Sequence, residues 1–121
     1  MGLDMFAYTT DKAIPPVDFQ EHDDAEELFY WRKHPNLHGW MENLYRSKGG
    51  KTEPFNCVAV RLDLGDLDAL EQAVNDNTLP ETQGFFFGTS DGSEKTDDLH
   101  FIRKARDALA NGKSVLYTSW W

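Results

Sequence analysis

Between Pro35 and the Gly49-Gly50 pair, Leu37, Trp40, Met41, Leu44 and Tyr45 fall at i, i+3, i+4, i+7 and i+8, the spacing of one helix face. Proline suits the first helical position, and a glycine pair suits the stop. A helix carrying such a stripe has to bury it, and the rest of the chain indicates against what. Residues 3–10 (LDMFAYTT) are rich in aromatic and β-branched types and read as a strand. Residues 55–62 and Val115 to Trp121 read the same way. Gly84-Phe-Phe-Phe-Gly88 reads as a short central strand, apolar on both faces.

Two further helices are expected. One is started by a capping box at Asp68-Ala-Leu-Glu71, with Leu67, Leu70 and Val74 inward. The other starts near Thr96, with Leu99, Ile102, Ala105 and Leu109 inward, and is closed by Gly112. Residues 24–34 could form a helix capped by Asp23 or Asp24. The dense run Leu28-Phe29-Tyr30-Trp31 and the extended geometry that Pro35 imposes on His34 favour a short strand instead. The sum is one α+β domain over residues 1–121: a small mixed β-sheet packed against about three helices in a single layer.

The chain has 121 residues, a net charge of −9 and one cysteine. Its size allows burial of roughly two-thirds of the unfolded surface, so neither disulfide nor metal is required for stability. Cys57 has no intrachain partner. Inside an apolar run it is expected to be a buried, reduced thiol, as in a reducing compartment. The acidic balance argues against binding a nucleic-acid polymer, which needs a coherent basic face. No apolar run is long enough to span a bilayer, and the start of the chain lacks the basic and apolar regions of a secretory signal.

Gly2-Leu3-Asp4-Met5, Tyr30-Trp31-Arg32-Lys33, His38 two residues before Trp40, Leu79-Pro80 ahead of Gly84-Phe-Phe-Phe-Gly88, and the Ser119-Trp120 ending occur in that order. Together they resemble an uncharacterised family of small bacteriophage and prophage proteins. The resemblance implies phage origin and residence in the host cytoplasm; it implies no activity. Phe6 stands where that family's pattern has tyrosine.

The densest chemistry lies between Tyr30 and Trp40, at the start of the first helix. Unpaired backbone N–H groups there suit an anion, and Arg32 and Lys33 oppose the helix dipole unless an anion lies between. The expected site is therefore a non-catalytic one for a small anionic or nucleotide-like ligand. Arg32 and Lys33 neutralise it, Trp31 or Tyr30 stacks on it, His38 donates a hydrogen bond and Trp40 walls the pocket. The plainer alternative is that the aromatics are core and the cations pair with Glu26, Glu27 or the acidic surface.

His34 and His38 have the four-residue spacing of a metal pair, but no glutamate follows His34 and no further ligands are evident, so no metal and no cofactor are expected. The oxygen-rich stretch Asp91-Gly92-Ser93-Glu94 lacks the EF-hand pattern and reads as cap and turn chemistry. No serine sits in a Gly-x-Ser-x-Gly turn, so an enzyme, for instance one acting on a small phosphorylated substrate, ranks third. Second stands a module that binds a host protein through an acidic or tryptophan-rich surface. Trp120 and Trp121 must point to opposite faces of a strand, so one of them is expected to meet solvent, a partner protein or a second copy in a homodimer.

Overall fold

A computed structural model describes residues 2–20, 23–84 and 87–121. In chain order it contains β1 (Asp4–Thr10), β2 (Glu26–Arg32), α1 (Pro35–Ser47), β3 (Ala59–Leu62), α2 (Leu64–Asp76), α3 (Lys95–Ala110) and β4 (Ser114–Trp120). The strands form one sheet in the order β2-β1-β4-β3. All three pairings are antiparallel, so the α+β class holds and the mixed sheet of the sequence reading becomes an antiparallel one.

Side-chain alternation sorts the sheet into two faces. Leu3, Met5, Ala7, Trp31, Val60, Leu62, Val115 and Tyr117 lie under the helices in the main core. The stripe of α1 supplies Leu37, Met41 and Tyr45, each fully buried and each worth about 1.5–3 kcal/mol of transfer free energy. Leu67, Leu70 and Val74 come from α2, and Phe101, Ile102 and Ala105 from α3. The opposite face is covered near β3 and β4 by the connection after β1, where Ile14 and Phe19 pack on Ala59 and Leu116. β4 is therefore buried on both sides through Val115-Leu116-Tyr117, as an inner strand should be.

The same connection closes one edge of the sheet. Arg61 N–H donates to Pro16 O at 2.9 Å, and Asp18 N–H donates to Ala59 O at 3.2 Å. β2 forms the other edge, with Glu26 and Glu27 exposed and a register shift opposite Ala7 and Tyr8.

Three expectations change. The predicted strand over 55–62 is regular only from Ala59. Cys57 has φ of 59° and an N–H held by Ser119 O, and its side chain is exposed rather than buried. The helix expected at Asp68 begins at Leu64, with Asp63 N–H held by Asp66, so Asp68 and Glu71 lie inside it and pair with Arg106. The segment expected to form a central Phe-rich strand is not in the sheet at its described positions Gly84, Phe87 and Gly88; Phe85 and Phe86 lie outside the described residues. Phe87 is nonetheless core.

Candidate functional site

The six residues expected to share one pocket are divided by the alternation of β2. Tyr30 and Arg32 point to the outer face of the sheet, and Trp31 points into the core. Asp4, their neighbour on β1, accepts from Tyr30 Oη at 2.6 Å and from Arg32 at 2.8 Å. The Tyr30 hydrogen bond, helped by the Arg32 charge, holds the Asp4 carboxyl below its usual range. The same bond raises the Tyr30 phenol. Arg32 thus meets an acidic side chain, Asp4. Lys33 is exposed and turns the chain at φ of 57°, its N–H held by Leu3 O. Trp40 is half-buried against the main core.

His38, expected to donate a hydrogen bond to a ligand, is fully buried. Its Nδ1 lies 2.7 Å from Tyr117 Oη, and its ring also bonds the Phe55 backbone carbonyl. A carbonyl can only accept, so the second nitrogen carries the proton and Nδ1 accepts from the phenol. Burial lowers this imidazole to about 4 and raises the Tyr117 phenol well above its ordinary value. A neutral ring with both nitrogens engaged has no hydrogen bond left for a ligand.

His38 still lines a large hollow beside α1. The volume is about 560 Å³. Its floor is aromatic: His38 and Phe55 with ring centroids 5.0 Å apart, and Phe87 edge-on to Trp121 at 5.0 Å. Trp121 is pinned there by its indole N–H on Phe55 O and its backbone N–H on Asn56. Glu42, Arg46 and Glu53 supply charge at the rim. Arg46 is held by Thr52 O and Glu42. Thr82 forms part of the wall because α1 presents Gly39 to it; a Cβ there would fall 1.9 Å from Thr82 Oγ1.

The second hollow, about 190 Å³, opens at the start of α1. His34 precedes Pro35 and is 3% exposed. Its Nε2 lies 2.8 Å from Asp98 Oδ2 and its Nδ1 2.7 Å from Ser90 Oγ. Asp98 also accepts from Trp31 Nε1 at 3.2 Å. Ser90 Oγ accepts the Asn36 N–H at 3.1 Å, which satisfies a first-turn donor of α1 that no local side chain reaches. Asn36, Glu94 and Lys95 also line it, beside the apolar Val74 and Leu79. The loop before α3 behaves as cap chemistry: Glu94 takes the N–H groups of Asp91 and Gly92, and Asp91 takes the N–H and the hydroxyl of Ser93.

His34 and His38 therefore serve different partners, and no group of three metal-ligating side chains occurs among the described residues. The residues missed from sequence are His34 as a partner of Asp98, Ser90, Asp98 itself, Arg46, Phe55 and Trp121. Asp98 had a signal: it stands four before Ile102 and seven before Ala105, on the inward stripe of α3, where a carboxylate needs a buried partner. Ser90 had none. No helix among the described residues is long and apolar enough to cross a membrane. Comparison of the chain with family models, with curated proteins and with solved structures returns no match.

Proposed function

We propose that this chain is a small phage-type binding protein of the host cytoplasm that holds a flat, nucleotide-like molecule in the larger hollow without acting on it. The supporting observation is the aromatic floor of His38, Phe55, Phe87 and Trp121 beneath a charged rim. Its volume lies within the range of small-molecule sites, which are mostly apolar with a few polar groups that fix orientation. A heteroaromatic ring stacks on such a floor, and the rim supplies acceptors from Glu42 and Glu53 and a cation from Arg46. Two carboxylates against one guanidinium oppose a multiply charged anion. The ligand is thus a nucleobase or nucleoside, or at most a singly charged nucleotide.

The test is a titration of the ¹⁵N-labelled chain with nucleosides, nucleotides and cyclic nucleotides. The Trp121 indole N–H signal should shift with saturation while that of Trp31, buried on Asp98, stays in place. Failure of every compound to move the Trp121 signal, with no heat in parallel calorimetry, would remove this reading.

Trp120 supports a second reading. It is 67% exposed on the outer face, beside Asp4 and near the half-exposed Tyr30. An indole so placed suits a protein partner, whether a host protein or a second copy of the chain. Light scattering at high concentration should then report a dimer that Trp120→Ser dissolves, or a monomer that gains mass only with the partner.

A further inference from the structure

We propose that Ser90 is an activated nucleophile, with His34 as its general base and Asp98 as the positioning residue, in a small esterase-type site separate from the ligand hollow. The geometry is that of a nucleophile–base–carboxylate relay, which is identified by roles and distances rather than by sequence order. Asp98 is 2% exposed and its ionised carboxylate can only accept, so His34 Nε2 bears the proton at 2.8 Å. The neutral ring then offers the Nδ1 lone pair to Ser90 Oγ at 2.7 Å, within reach for proton abstraction. The Asn36 N–H, donated to Ser90 Oγ, leaves the serine proton free to point at His34. Trp31 Nε1 fixes the second carboxylate oxygen, so Asp98 is held at both ends.

All three members line the same cavity. Asn36 lines the same cavity with its side-chain Oδ1 occupied by Thr82 N–H, which leaves its amide NH₂ as a donor available to a developing oxyanion. The dimensions limit the substrate. About 190 Å³ is the room of roughly six waters and admits an acyl group of a few carbons. Glu94, whose carboxylate lies 3.9 Å from His34 Nδ1, disfavours anionic acyl groups. The substrate class is a neutral short-chain ester.

In the reaction Ser90 Oγ bonds to the ester carbonyl carbon as its proton passes to His34 Nδ1. The bond to the alkoxy oxygen then breaks, and that oxygen takes the proton from Nδ1 and leaves as the alcohol. Water adds to the acyl-serine carbonyl and gives a proton to Nδ1, which returns it to Ser90 Oγ as the carboxylic acid departs. No oxidant or further reactant is needed.

The experiment uses the full chain with p-nitrophenyl acetate and, separately, methanesulfonyl fluoride, followed by intact-mass and peptide mass spectrometry. A single adduct on Ser90 is expected, formed about 100-fold faster than any adduct in Ser90→Ala. Asp98→Asn should lower the maximal labelling rate with the half-saturating probe concentration unchanged, a split that a purely structural carboxylate would not produce. Wild-type protein that remains unlabelled, or labels no faster than Ser90→Ala, overturns the proposal; so does an adduct placed elsewhere. The wild-type measurement decides the matter even if the Asp98 variant fails to fold.

Discussion

His34 and His38 stand one helical turn apart, both almost fully buried, yet they occupy opposite electrostatic settings. His38 is surrounded by neutral groups: a phenol, a backbone carbonyl and the rings of Phe55 and Phe87. Burial therefore drives the ring to its neutral form. His34 is inserted between a hydroxyl and a buried carboxylate, with a second carboxylate nearby. The lesson is that burial alone does not define a histidine's chemistry; the charge of the partner brought to it by a distant element does. Both partners come from far along the chain, Asp98 from α3 and Tyr117 from β4.

The strongest way to break this contrast is Asp98→Ala. Trp31 Nε1–H and His34 Nε2–H would both lose their acceptor inside the core. At about 1–3 kcal/mol for each orphaned donor, urea denaturation should report a loss of about 2–6 kcal/mol. A loss below 1 kcal/mol would mean that water reaches the pair.

Acid sharpens the other side. The folded His38 ring protonates near 4, below its ordinary 6.5, so the folded state binds fewer protons than the unfolded state between those values. This contribution is complete above about pH 6.5 and is lost as the pH falls towards about 4. The drop in stability between pH 7 and pH 4.5 should therefore be about 2–3 kcal/mol larger in the wild-type chain than in His38→Gln. Equal drops would show that His38 titrates normally.

The smallest effect belongs to Tyr117→Phe. It removes the hydroxyl that His38 Nδ1 accepts from but leaves the ring packing intact, and should cost about 1–2 kcal/mol. The residual pH dependence of that variant should keep the wild-type sign.

The elements that carry periodic apolar residues were legible in the sequence. The stripe of α1 and its Pro35 and glycine boundaries lie where spacing places them, and the aromatic run of β2 is a strand despite its helix-like caps. Local misreadings share a cause: Cys57 and the Gly84–Gly88 stretch looked like strand because they are apolar, but Cys57 turns the chain at φ of 59° ahead of β3, and the described Gly84, Phe87 and Gly88 lie outside the sheet. The site was much less legible. Alternation in β2 separates Trp31 from Tyr30 and Arg32, which adjacency in sequence had put together. Ser90, His34 and Asp98 meet only through tertiary contacts spanning more than fifty positions, and no local pattern encodes such a meeting. The inward-facing Asp98 was the one available clue.

The closure of β3 by the Pro16–Asp18 segment has a consequence for how copies of the chain behave in a crowd. Among the described residues only β2 is left to accept another strand, and it carries Glu26 and Glu27 together with an irregularity in its pairing. Parallel in-register stacking, the arrangement of fibrils, would set each of these glutamates against its own image at every layer. The molecule therefore resists templating its own sheet at both flanks, by occupation at one and by repulsion at the other.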